Sequence, residues 1–308
     1  MRRAPARSGA PRPDRRPVDH RGVRSGIIAL AGRPNVGKSR LVNALCGAKV
    51  AIVSDKPQTT RRRITGVATT DEYQIVLVDL PGFQRPRDEL TQRMQRTVDS
   101  SLTDVDGVLI VLAADEAIGA GDRLIARRAF GAGPPVVVVL NKVDLVRRSR
   151  IAEQIEQAAA LGDFVSLHPV SARTGDGLGA LRDSLVELFP EGPLLHPANA
   201  VSDLSVEERI AEVVREKALE LTREEVPHAT TVEVEEIDGG TVRASILVET
   251  ESQKRILVGK GGSMVREIGW RARPEIAAEL GCRVYLELMV KARRGWRDDP
   301  NVLRRLGL

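Results

Sequence analysis

Cysteine is nearly absent: Cys46 and Cys282 are the only two in 308 residues. Two thiols in separate stretches give neither a disulfide framework nor a cysteine-rich metal site, and they suit a reducing, cytosolic setting. Cys46 is expected in a helix as a small core residue, and Cys282 at a strand entry, partly buried. Aromatic residues make up only 3% of the chain, so its cores must be aliphatic. No apolar run approaches the roughly 18 residues of a membrane-spanning helix. The N-terminus has charge but no apolar stretch behind it, so no secretory signal is expected. Lysine is scarce too, 8 against 39 arginines; the skew reads as genomic base composition, and arginine abundance alone is no functional signal.

The length allows two domains, each with its own core. The net charge of +5 is unevenly placed. Residues 1–24 hold eight arginines and two aspartates, so everything after them sums to about −1. This arginine- and proline-rich tail lacks the apolar content to fold and is expected to be disordered. It suits contact with RNA or anionic lipid, or a solvated extension.

What is present begins with Gly32-Arg33-Pro34-Asn35-Val36-Gly37-Lys38-Ser39, a complete GxxxxGKS phosphate loop. The apolar run Ile27–Ala31 before it reads as a buried parallel strand, and Arg40–Cys46 after it as a helix. In that context backbone N–H groups and a helix N-terminus wrap nucleotide phosphates. Lys38 reaches the β- and γ-phosphates, and the Ser39 hydroxyl suits Mg²⁺. A second strand ends in Asp79-Leu80-Pro81-Gly82: Asp79 can hold the metal through water, and Gly82 can bring its N–H to a γ-phosphate. A third ends in Asn141-Lys142-Val143-Asp144, where a carboxylate can accept from guanine N1–H and the 2-amino group. Adenine offers neither donor, so this arrangement rejects it by a factor of ~10⁴ or more. The stretch 164–170 then leads into Ser171-Ala172-Arg173, with the Ala172 N–H expected to face guanine O6. Four such stretches in this order specify a GTPase domain.

Between the phosphate loop and Asp79, the polar run 56–63 is expected to be a switch. Thr60 is the expected γ-state Mg²⁺ ligand, with Thr59 as the alternative. Phe83 stands where Ras-like switches place a water-orienting glutamine; a phenyl ring can neither donate to water nor accept from it. Hydrolysis then rests on Lys38, Thr60, the Gly82 backbone and Mg²⁺, and is expected to be slow. Arg85 or Arg87 could add charge in cis, although solvated loop arginines are the plainer reading.

Residues 25–190 alternate strands and helices, an α/β pattern with a mostly parallel sheet covered on both faces. A hairpin is expected at 64–69 and 73–78, and a second-switch helix over 88–102. Residues 191–201 read as a linker. A second, α+β unit at 202–308 opens with a capping box at Ser205. Its pattern is helix–strand–strand–helix–helix–strand, with Gly259-Lys260-Gly261-Gly262 between two helices. GxxG alone is weak and also suits a plain helix–helix turn. In this order of elements it matches a type II KH domain, whose glycines let the loop approach a sugar-phosphate backbone. Residues 254–273 carry net +5, whereas 207–225 carry net −3. Lys254, Lys260 and Arg266 therefore mark a single-stranded RNA face, which Lys291, Arg293, Arg294 and Arg297 extend.

The joined motifs GRPNVGKS, QTTRR, DLPG, NKVD and SAR, then VGKGGSMVREIG and YLELMVKARRGWRDD, resemble those of bacterial Era GTPases over about residues 25–308. Leu80 departs from the threonine usual in DTPG, and leaves Asp79 and Gly82 intact. The resemblance implies GTP hydrolysis to GDP and binding to the 3′ end of 16S ribosomal RNA through the KH domain. It also implies help in maturing the 30S subunit. The likeness suggests a cytoplasmic protein with a fraction peripherally at the cell membrane, and a monomer is expected. In related GTPases an asparagine at the position of Asn35 coordinates K⁺, which can offset transition-state charge where no arginine finger is present; an Asn capping its own loop is the alternative.

Overall fold

The computed structural model describes residues 22–56, 58–83 and 86–308. The tail expected to be disordered lies almost wholly outside them, and so do Pro57, Gln84 and Arg85.

The first unit runs β1 (Val23–Ala31), α1 (Lys38–Cys46), β2 (Ile64–Thr69), β3 (Tyr73–Asp79), α2 (Glu89–Ser101), β4 (Gly107–Ala113), α3 (Ala120–Gly131), β5 (Val136–Asn141), α4 (Arg148–Ala159), β6 (Ser166–Pro169), α5 (Leu178–Val186) and β7 (Glu191–Gly192). Its sheet has the order β2-β3-β1-β4-β5-β6. β3, β1, β4, β5 and β6 pair in parallel, and β2 joins antiparallel at the edge as a hairpin with β3. Alternation along β1 sends Ile28 and Leu30 to one face, with Leu41 of α1 and Leu185 of α5. Ala29 and Ala31 go to the other, with Ile125 of α3 and Ala158 of α4. Each fully buried leucine on these faces contributes roughly 2 kcal/mol. The parallel strands point their C-terminal ends to one edge, and the four motif loops emerge there. That edge is where open α/β sheets build their sites.

The second unit runs α6 (Val206–Leu221), α7 (Val226–Ala229), β8 (Thr231–Asp238), β9 (Thr241–Val248), α8 (Glu251–Val258), α9 (Ser263–Leu280), β10 (Tyr285–Ala292) and α10 (Pro300–Arg305). Ser205 caps α6 with a full capping box. The sheet order is β10-β9-β8, with β10 parallel to β9 and β8 antiparallel. α6 and α9 cover one face around Val214, Ile246 and Ile268.

Three sequence expectations need correction. β1 starts at Val23, so Val23 and Arg24 belong to the sheet, where they pair with β7. The stretch read as a linker begins within the sheet, since Glu191–Gly192 form β7, and the rest of it is held against the sheet. The buried Gln74 side chain accepts from the Leu195 and His196 N–H groups at 2.8 and 2.9 Å and donates to the His196 carbonyl. Val67 N–H reaches the Val201 carbonyl, and Thr65 N–H the Asp203 carboxylate. Groups 120 or more positions away in sequence, the Gln74 side chain and the Thr65 N–H, thus bind the connection to the sheet. Finally, Cys282 is exposed rather than partly buried, because it sits in the turn between α9 and β10.

The chain beyond β10 was not anticipated as structure. Trp296, Val302 and Leu303 form a small apolar cluster with Leu90 and Met94 of α2. This joins the second unit to the helix expected to be the second switch.

Candidate functional site

A cavity of about 500 Å³ opens at the C-terminal edge of the parallel sheet. The phosphate loop forms its floor. Gly37 has φ of 98°, and a Cβ there would lie 2.3 Å from the Asn141 amide nitrogen; only glycine allows so close an approach. Lys38 is buried, and its Nζ donates to the carbonyls of Gly32 and Arg33, both at 3.0 Å. Burial pushes its pKa down to about 8, opposed by the charge of Asp79. Two neutral carbonyls here occupy the donors that a phosphate would take with full charge.

Ser39 Oγ lies 3.0 Å from Thr60 Oγ1 and donates to Asp79 Oδ2 at 2.6 Å. Thr60 Oγ1 donates to the same oxygen at 3.2 Å. Asp79 is fully buried, its pKa raised by desolvation against the pull of Lys38, Ser39 and Thr60. Its Oδ1 has no hydrogen-bond partner. An unsatisfied carboxylate oxygen beside two converging hydroxyls is the donor set of a hard divalent cation, so these residues fit Mg²⁺. The Thr59 hydroxyl instead donates to the Lys56 carbonyl, which turns it away from this group. Gly82 lines the cavity with Pro34 and Asn35. Leu80 is buried in the core, consistent with a position that needs no hydroxyl. Arg33 turns outward to Glu116 and Asp122, at 2.8 Å each.

At the base end, Asn141 Nδ2 donates to the Val36 carbonyl and ties the NKVD stretch to the phosphate loop. Ser171 Oγ donates to Asp144 at 2.5 Å, and Arg173 pairs with it at 2.7 Å. The Ser171 bond, then Arg173, holds this carboxyl below its usual range, so it is ionised and able to accept. Lys142 adopts φ of 66° and pairs with Asp115, with Val143 beginning a short 3-10 turn. One expectation is corrected: the Ala172 N–H donates to Asn141 Oδ1 at 3.0 Å. It faces the asparagine rather than standing free for guanine O6.

Phe83 does not line the cavity. Its ring packs against the core with Arg128 at 5.5 Å over it, so it points away from any attacking water. Arg87 is exposed, and Arg85 lies outside the described residues.

The chain resolves into two family matches. Residues 27–142 match the 50S ribosome-binding GTPase family, and 221–297 the KH domain family. GTPase Era of Heliobacterium modesticaldum is 44% identical over 92% of this chain and 97% of its own length. That of Staphylococcus epidermidis is 42% identical with the same coverage. The chain belongs to the Era family of GTPases. Two solved Era structures each superpose with a TM-score of 0.89 at 37% identity, covering 92% of this chain and 99% of theirs. One is an Aquifex aeolicus Era variant bound to GDP·AlF4⁻; the other is Era with MgGDPNP and nucleotides 1506–1542 of 16S ribosomal RNA. The first unit is thus the P-loop GTPase domain, the second the KH domain, and the enzyme class is GTPase.

In the KH domain, Gly259 joins α8 to the GxxG turn with φ of 70°, and a Cβ would meet the Met264 backbone nitrogen at 2.7 Å. Lys260 and Gly261 form the exposed rim of the turn, with Gly262 half-buried behind them, and Arg266 donates to the Gly261 carbonyl at 2.8 Å. Lys254 lies one turn back on α8, 3.6 Å from Glu251. The expected extension of this face is corrected. Lys291 pairs with Glu235 at 2.6 Å, and Arg293 with Asp299 at 2.9 Å. Arg297 pairs with Asp88, the N-cap of α2, at 2.6 Å. The Arg293 N–H bonds the Val248 carbonyl near the start of α8, whereas GxxG follows its end. Eight helical residues, about 12 Å, separate the two ends. Arg294 is exposed beside Arg293, at the same far end.

Sequence reasoning missed the junction between the domains. Arg61 is 4% exposed and donates to the carbonyls of Thr230, Pro227 and His228 at 2.7, 3.2 and 2.8 Å. Its guanidinium lies 5.7 Å from the Trp296 ring. Arg215 of α6 donates to the Thr59 carbonyl, and Glu216 accepts the Val53 N–H at 2.9 Å. An arginine run in a polar loop carries no sign that one member will be buried.

Proposed function

We propose that this chain is a GTP-hydrolysing switch that binds 16S ribosomal RNA near its 3′ end through its KH domain and assists 30S subunit maturation. One observation carries the coupling in this reading. The segment 53–61 contributes Thr60 to the phosphate cavity and, through Val53, Thr59 and Arg61, holds the KH domain. A γ-phosphate that rearranges this segment must therefore rearrange the docking surface of α6 and α7. The likeness to an RNA-bound Era supports the choice of RNA.

In the bound state Lys38 exchanges the carbonyls of Gly32 and Arg33 for phosphate oxygens. Asp144 accepts from guanine, and the backbone at Gly82 faces the γ-phosphate. Ser39, Thr60 and Asp79 would hold Mg²⁺, which would supply charge neutralisation on the phosphate oxygens. Asn35 Nδ2 donates to the Asp55 carbonyl at 2.7 Å, so this loop asparagine already meets the switch segment. Its Oδ1 is the oxygen suited to K⁺. With Phe83 turned inward, intrinsic hydrolysis is slow. We place the protein in the cytoplasm as a monomer, with a fraction peripheral to the membrane.

Linkage supplies the test: if GTP raises RNA affinity, RNA raises GTP affinity by the same factor. RNA binding is measured with GDPNP and with GDP at one salt concentration, because phosphate contacts make affinity salt-dependent. Identical affinities in both states would uncouple the domains and defeat this reading.

A further inference from the structure

The cations around helix α9 divide into two groups. On one side Arg271 pairs with Glu267 at 2.7 Å, Glu275 with Lys49 and Lys217 at 2.6 and 2.7 Å, and Glu279 with Arg209 at 2.5 Å. On the other, Lys260, Arg266 and Arg273 are exposed, and none has a carboxylate partner among the described residues. Between Arg266 and Arg273 stands Trp270, 66% exposed. The spacing i, i+4, i+7 puts all three on one face over two helical turns, about 10 Å. The Arg266 bond to the Gly261 carbonyl joins this stripe to the GxxG turn. Pro274 falls inside the helix. Having no N–H, it cannot donate to the Trp270 carbonyl four residues back.

Leaving an indole in water forgoes burial worth more than that of most side chains. The chain's other tryptophan, Trp296, is fully buried. A solitary aromatic platform flanked by unpaired arginines matches the way single strands are held, by base stacking and backbone charge. It is a poorer match for a lipid interface, because the stripe itself offers one aromatic side chain between two arginines.

We propose that Arg266, Trp270 and Arg273 form a second single-stranded RNA subsite continuous with GxxG. One base stacks on Trp270, and the flanking phosphates meet the two arginines. The subsite rests on the reading that the KH domain binds RNA and extends it beyond the roughly four nucleotides that a GxxG loop clamps.

The test uses the full chain with four-nucleotide and ten-nucleotide RNAs from the 3′ end of 16S ribosomal RNA, the longer ones extended in either direction. Trp270→Ala is expected to weaken binding of one ten-nucleotide RNA about tenfold, as loss of a stacked base does, and to leave the four-nucleotide RNA unchanged. Trp270→Phe restores most of the loss. In the wild type the longer RNA quenches Trp270 emission, while the buried Trp296 serves as an internal reference. Equal effects of Trp270→Ala on both lengths, or none on either, would overturn the subsite and leave GxxG binding standing. Failure of the wild type to bind either RNA would overturn both readings. Trp270-dependent sedimentation with phosphatidylglycerol vesicles, without an effect on RNA, would reassign the residue to a membrane surface and overturn it as well.

Discussion

Replacing Arg61 with alanine is expected to undock the two domains without emptying the nucleotide site. The Thr230 carbonyl loses its donor, and those of Pro227 and His228 keep only longer bonds, from the Thr230 N–H at 3.4 Å and from Arg297 at 3.3 Å. Bonds from a charged donor are worth about 1.5–3 kcal/mol each, and the contact with Trp296 adds roughly 1. Against this, the guanidinium is disfavoured by burial, then by the neighbouring charges of Arg215 and Arg297, and the variant relieves that cost. Its Nε also has no partner. The net loss is therefore well below the gross sum, at about 2–4 kcal/mol. That lowers a melting midpoint by roughly 3–6 °C in a protein of this size. Calorimetry should show one transition splitting into two, and amide exchange should quicken in 58–63 and 226–231 while 36–42 stays protected. Arg61→Lys should recover less than half, because an ammonium cannot present a planar fork to three carbonyls. A midpoint unchanged to within about 1 °C would refute the claim that this guanidinium joins the domains.

Asp144→Asn should cost GTP about 3 kcal/mol, roughly a hundredfold in affinity, and shift preference toward xanthine nucleotides, whose 2-oxo group can accept from the amide. Retained guanine preference in competition binding would mean Asp144 does not read the base. Lys38 gives a pH signature. Its ordinary pKa of 10.5 falls to about 8 in the folded chain, so between those values the unfolded state binds more protons and apo stability rises with pH. A bound triphosphate retains the proton, so GTP affinity should fall by up to about tenfold per pH unit above 8, measured by calorimetric titration. A flat profile from pH 7 to 10 would contradict the buried lysine. Hydrolysis should run faster in KCl than in NaCl at equal ionic strength if Asn35 holds K⁺; equal rates would remove that ion from the mechanism.

Much of the nucleotide site is legible in the sequence because each part is local. GxxxxGKS, DLPG, NKVD and SAR are short stretches at strand ends, and strand period plus glycine placement suffice to locate them. The capping box at Ser205 and the GxxG turn between α8 and α9 are legible for the same reason. What the motifs do not contain is the partner of each charge. Lys291, Arg293 and Arg297 look like an extension of a basic face, yet Glu235, Asp299 and Asp88 take them up. Two of those acids lie 56 and 209 positions from their partners, and nothing local distinguishes a paired arginine from a free one. Arg61 and Trp296 are 235 positions apart and meet only because the chain after β10 folds back onto α2. Periodicity sets which face of an element is apolar. Which charges remain free for a ligand is decided by long-range packing, because an ion pair needs two side chains within 4 Å and sequence order does not bring them there.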